Sequence, residues 1–182
     1  AKLIMYSACP EINISDFSSY DEYVKNKYSK NLKQNLRTAY NRAKKSELKI
    51  QTSVECINDN TFNDITKISD FKISDGKNSL YNDNNKFLFM KKITKIMNSN
   101  IIFVKINDVN VAYRINILLN ENKFCIDASY DRNFRKLELG SFSVDANLRD
   151  SYEKNILTHC FGPGLDFYKK KFTKNTLNVN IF

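Results

Sequence analysis

The chain is 182 residues long and carries a formal net charge of +9, from 29 Lys and Arg against 20 Asp and Glu. Hydrophobic residues at 42% and charged residues at 27% describe a globular chain and argue against intrinsic disorder, while four Gly and two Pro exclude collagen-like or proline-rich linker character. The length suits one domain, able to bury roughly two thirds of its unfolded surface.

No apolar run approaches the roughly 18 residues of a membrane span, and no signal peptide is visible behind Lys2. Ala1 stands where an initiator Met would, so the chain is expected to be processed or to be a piece of something longer. The cysteines Cys9, Cys56, Cys125 and Cys160 are far apart, with no C-x-x-C pair and a single His in the chain. No metal site is therefore expected, and free thiols in a reducing cytoplasm are the simple reading. The positive balance fits a polyanionic partner, whether nucleic acid, an acidic carrier protein or a phosphorylated cofactor, without choosing among them.

In chain order, residues 2–14 read as a short strand with an extended lead-in through Cys9 and Pro10. Ser15 or Asp16 is placed to cap a short helix holding Phe17, Tyr20 and Tyr23. A longer helix follows, capped by Ser29, with Leu32, Leu36, Ala39, Tyr40 and Ala43 at helical spacing and Lys30, Lys33, Arg37, Arg42, Lys44 and Lys45 on its flanks. Residues 48–54 alternate as a strand. Residues 61–71 and 86–97 read as amphipathic helices, and the polar stretch 74–85 between them as the most mobile segment. Residues 101–106, 111–119 and 123–130 are strands separated by Asn- and Asp-rich turns, an antiparallel meander. A loop with Arg132, Arg135 and Lys136 leads to Gly140, then a helix over 141–152 and a strand over 156–161. Gly162-Pro163-Gly164 breaks the chain, residues 165–172 read as a helix, and 177–182 as a last strand. No internal repeat and no linker divides the chain.

This order of elements resembles the GNAT acyltransferases, and three local patterns carry the resemblance. Arg135-Lys136-Leu137-Glu138-Leu139-Gly140 is similar to the GNAT pyrophosphate loop, with Glu138 standing where the first Gly belongs. Phe167-Tyr168-Lys169-Lys170-Lys171-Phe172 is similar to the helix after the fifth GNAT strand, without its Gly. The run Tyr130-Asp131, Gly140-Ser141-Phe142, Phe161-Gly162-Pro163-Gly164 and Tyr168-Lys169 resembles the branch of polysaccharide- and cellulose-biosynthesis acetyltransferases allied to the Fem-type peptidyltransferases, with Cys160 in place of an Asp. Asn35-Leu36-Arg37 fits that branch's basic helix.

The resemblance implies an α/β (α+β) fold, a mixed and mainly antiparallel twisted sheet flanked by helices, as one domain over 1–182 that is complete or the C-terminal half of a longer protein. It implies an N-acetyltransferase that passes an acyl group from acetyl-CoA directly to an amine acceptor, small molecule or peptide. The pyrophosphate would meet backbone N–H groups around Arg135, Lys136, Leu139, Gly140 and Ser141, where a helix N-terminus favours anions. The pantetheine would run along 123–130, beside the place where the sheet splays. Tyr168 would protonate the leaving thiolate. His159, Glu138, Asp127 and Asp131 are rival bases, and each of these positions also has an ordinary packing or solvated reading. Cys160 beside His159 is no catalytic dyad, because neighbouring strand residues face opposite ways. The resemblance allows two further functions: an aminoacyl-tRNA-dependent peptidyltransferase of Fem type using the basic helix 29–45, and a non-catalytic domain.

Overall fold

The computed structural model describes residues 5–74 and 80–181. Its strands are β1 (Met5–Asn13), β2 (Ile50–Glu55), β3 (Ser99–Ile106), β4 (Val109–Leu119), β5 (Asn122–Tyr130), β6 (Thr158–Cys160) and β7 (Thr176–Ile181). Its helices are α1 (Tyr20–Lys27), α2 (Lys30–Lys45), α3 (Asp59–Ser69), α4 (Phe71–Ser74), α5 (Asn84–Ile96) and α6 (Leu139–Glu153). The strands form one sheet in the order β2-β3-β4-β5-β6-β1-β7. Every pairing is antiparallel except β5 with β6. The expected mixed, mainly antiparallel sheet flanked by helices is present.

Local chemistry explains most boundaries. β3 and β4 are joined through Asn107 and Asp108, both at positive φ (49° and 66°), the two-residue hairpin that Asn and Asp tolerate best. Ser29 caps α2 by accepting from the Leu32 N–H, as the sequence predicts. Asn58 and Thr61 form a reciprocal capping box at α3. The cap of α1 is Ser19, not Ser15 or Asp16; residues Ile14–Asp16 make a 3-10 turn in which Asn13 donates to the Asp16 carboxylate and so takes up the expected capping group.

Two helical layers cover the sheet. α1, α2 and α6 bury Tyr23, Leu32, Val144 and Leu148 with Ile12 of β1. On the other face α3 and α5 bury Phe62, Ile65 and Met90 against Ile101, Phe103, Tyr113 and Ile115. Each fully buried Ile or Phe contributes about 2–3 kcal/mol of burial.

The expected helix over 165–172 is absent. Only a single 3-10 turn, Lys169–Lys171, forms there. Lys169 is buried, and its ammonium donates to the carbonyls of Gly162, Pro163 and Gly164 at 3.0, 2.6 and 3.1 Å. That clamp folds the chain back on the Gly-Pro-Gly break and leaves Leu165 and Phe167 exposed. Of the stretch 74–85, residues 80–82 are a 3-10 turn and 84 onward is α5, while 75–79 lie outside the described residues. Residues 2–4 and Phe182 lie outside them too.

Candidate functional site

The parallel contact between β5 and β6 is short. It runs from Asn122 opposite Thr158 to Phe124 opposite Cys160 and stops there. β5 continues to Tyr130 paired only with β4, while the chain after Cys160 swings away through Gly162. Gly162, at φ 82°, passes so near β5 that it admits no side chain. The sheet therefore opens into a wedge between β5 and the segment 162–171.

A cavity of about 440 Å³ fills that wedge. One wall is Ala128, Ser129 and Tyr130 of β5; the opposite wall is Asp166, Tyr168 and Lys171; the N-terminus of α6 closes the end with Glu138, Leu139, Gly140, Ser141 and Ser143. Cations ring it: Lys72, Arg114, Arg132, Arg135 and Lys171. Two acids, Glu138 and Asp166, face them, so the cavity is net positive.

Arg114 sits deepest, with 3% of its surface exposed. Its Nε donates to Ser143 Oγ at 3.0 Å, one terminal nitrogen reaches Cys125 Sγ at 3.5 Å, and the guanidinium lies 5.5 Å from the Tyr168 ring centre. Among the described residues it has no carboxylate partner, an unusual state for a buried cation. Lys72 is fixed differently: its ammonium is 2.6 Å from Asp127, which also accepts from the Tyr81 and Tyr113 hydroxyls at 2.9 and 2.6 Å.

α6 begins without a side-chain cap. Glu138 precedes it in the left-handed conformation, φ 52° and ψ 34°, the region that usually selects Gly. Its carboxylate accepts from Ser141 Oγ at 3.2 Å. First-turn N–H groups and the helix dipole favour an anion at this end.

The structure brings Arg135, Glu138, Leu139, Gly140, Ser141 and Tyr168 together on this one cavity. Burial pushes the Tyr168 hydroxyl above its ordinary pKa, with the Arg114 charge pulling it partly back. Lys136 is not in the cavity wall; it is exposed, and its carbonyl accepts from Arg42 of α2 at 3.2 Å. His159 is also elsewhere. Its ring is 1% exposed, 2.8 Å from Ser151 Oγ through Nδ1 and edge-on to Phe161. Burial, with the Lys123 and Arg114 charges adding, holds its pKa well below the usual value. A ring without solvent contact and packed under α6 is a core residue in this structure. Asp127 already accepts from three donors, the Lys72 ammonium and the Tyr81 and Tyr113 hydroxyls, and Asp131 caps the turn Arg132–Leu137 by accepting from Asn133 N–H; neither lines the cavity. Burial lifts the Cys160 thiol to about 11, which keeps it protonated. Among the described residues no three His, Cys, Asp or Glu side chains converge to hold a metal.

Sequence reasoning missed Arg114, Lys72 and Lys171. Arg114 had a visible signal: an Arg between Tyr113 and Ile115 in the middle of an apolar strand must be buried, and a buried Arg needs a reason.

No family model matches the chain, and no curated protein matches it in sequence. Solved structures do match. The chain shares its fold with FemX. The TM-score is 0.67 at 11% identity, over 94% of this chain and 59% of FemX. The C-terminal domain of a putative lysylphosphatidylglycerol synthetase from Agrobacterium fabrum matches at TM-score 0.61 and 10% identity, over 94% of this chain and 58% of that one. The L-PGS structure from Bacillus licheniformis matches at 0.55 and 12%, over 92% and 57%. The chain thus spans somewhat under three fifths of each neighbour's length.

Proposed function

We propose that this chain is a GNAT-like transferase domain that moves an aminoacyl group from an aminoacyl-tRNA to an amine acceptor. The observation that carries the reading is Arg114: a guanidinium buried at the floor of a cation-rimmed cavity, with no carboxylate beside it among the described residues. Such a charge is compensated best by an anionic ligand, and the phosphodiester end of an RNA supplies one. The neighbours add support. FemX carries the name of the Fem-type peptidyltransferases to which the resembled acetyltransferase branch is allied, and a lysylphosphatidylglycerol synthetase is named for joining an amino acid to a phospholipid.

In this reading the acceptor nitrogen attacks the ester carbonyl of the donor, the C–N bond forms and the ribose oxygen leaves. Glu138, on the cavity wall, takes the proton of the acceptor ammonium. Tyr168, across the cavity, gives its proton to the departing oxygen and regains one from the newly bonded nitrogen, leaving the neutral amide. Holding the two reactants in one wedge supplies much of the rate. The exposed cations of α2, tied to the cavity loop through Arg42 and the Lys136 carbonyl, extend the positive surface along which RNA would lie.

A second reading, acetyl-CoA as donor, is favoured by the uncapped start of α6 with Gly140 in its first turn. Calorimetric titration separates the two. An acceptor-stem RNA carrying an amide-linked amino acid should bind, lose about tenfold or more in affinity in Arg114→Met, and weaken steeply with salt. Binding of CoA without binding of the RNA would overturn the tRNA reading, and binding of neither would overturn both.

A further inference from the structure

We propose that the outward face of α5 rests on an anionic lipid surface. α5 packs inward through Met90 and Thr94, with Phe87 and Ile93 against the same core. A surface helix ordinarily turns polar side chains to water on its other side. Here that side carries Leu88, Phe89 and Ile96, exposed at 53%, 60% and 69%. Leu88 and Phe89 lie two helical turns from Ile96, so the three share one stripe, with Lys92 between them.

The charge pattern selects the partner. α5 contains no Asp or Glu, and all its charges are lysines: Lys86, Lys91, Lys92 and Lys95. Lys91 belongs to the packing, 2.6 Å from Asp59 and over the rings of Phe62 and Phe87. Lys86 is 3.8 Å from Asp83. Lys92 and Lys95, on the outward side, make no ion pair among the described residues. Protein interfaces deplete Lys and favour Arg at their centres. A stripe of Leu, Phe and Ile mixed with Lys, without acids, is the pattern of a helix lying in a lipid interface, the apolar residues at the acyl boundary and the ammonium groups among phosphates. No helix among the described residues is long and apolar enough to cross a membrane, so the contact lies on the surface.

The test is cosedimentation of the whole chain with phosphatidylcholine vesicles, with and without an equal part of phosphatidylglycerol. The chain should partition onto the phosphatidylglycerol vesicles and come off as salt rises. The pairs Leu88→Ser with Phe89→Ser, and Lys92→Glu with Lys95→Glu, should each weaken partition about tenfold or more, with melting temperature unchanged. Reversing Arg37 and Lys44 on α2 should leave most of it. Failure to bind phosphatidylglycerol vesicles overturns the proposal. So does binding that the α5 variants leave intact and the α2 variant removes. Self-association that disappears in Phe89→Ser, without lipid binding, would make the stripe an interface between copies and overturn it as well.

Discussion

A Cβ on Gly162 would lie 2.4 Å from the carbonyl oxygen of Cys125, across the point where β6 parts from β5. That atom is backbone and cannot step aside, and φ 82° is strained for any L side chain. The wedge that holds the cavity thus depends on one missing side chain. Gly162→Ala is expected to lower stability by about 2–4 kcal/mol in urea unfolding, combining the clash with the left-handed penalty. Gly164→Ala, at φ 90° with its nearest neighbour 3.8 Å away, carries only the backbone term and should cost about 1–2 kcal/mol. Equal losses at the two positions would show that β5 yields at Cys125.

Arg114 should behave unlike an ordinary buried charge. Removing one partner of a buried ion pair is costly because the other charge is stranded, but no carboxylate would be stranded here. Arg114→Met keeps the bulk and removes the desolvated guanidinium. Its stability should stay within about 1 kcal/mol of the parent, while donor affinity falls. A loss of several kcal/mol in chemical denaturation would identify Arg114 as a structural residue instead.

The pH dependence follows from His159. Its native pKa is depressed well below the ordinary 6.5, so below pH 6.5 the unfolded chain binds a proton that the native chain does not. Stability therefore falls as pH drops from 6.5, by at most about 1.4 kcal/mol per pH unit, until the native ring also protonates. Further into acid, Asp150 adds to the loss: burial raises its pKa, but Lys123 at 2.6 Å and Lys154 at 2.9 Å outweigh burial and hold it low. Stability measured from pH 7 to 5 should show the first slope, and His159→Gln should flatten it. A parent profile flat across that range would mean the ring titrates normally.

The meander, α2 and the general plan of the sheet were legible because their signals are local: β-branched runs, positive-φ Asn and Asp turns, a Ser cap before a helical apolar stripe. Arg135, Glu138 and Gly140, picked out from the sequence by their spacing, do lie together on the cavity wall. What stayed hidden was set by contacts distant in sequence. Tyr113 and Tyr81 meet on Asp127, and Lys123 meets Asp150 under α6. Residues 165–172 read as a helix because their periodicity is helical. The ammonium of Lys169, drawn inward by three carbonyls, overrode it. His159 read as a candidate base because a lone His invites that role; its partner Ser151 and full burial are properties of the packed core alone.

Tyr168 offers the sharpest test of the chemistry. Its ring packs against the cluster of Tyr23, Phe161 and Phe172 and stacks over Arg114, while the residue also lines the cavity. Ring and hydroxyl therefore have separable duties. Tyr168→Phe keeps the ring, the packing volume and the face presented to Arg114, so donor affinity and melting temperature should be nearly unchanged. Turnover should fall by roughly 10²–10³, the scale of losing one general acid. Burial already places the hydroxyl pKa above its ordinary value, so it stays protonated at neutral pH, and the parent rate should decline only in strong alkali. The Phe variant should lack that alkaline limb. Turnover at the parent rate would reduce Tyr168 to a packing residue, with the leaving oxygen protonated from water. Unfolding of the variant would instead assign the hydroxyl a structural hydrogen bond, and measuring rate and stability on one preparation distinguishes the three results.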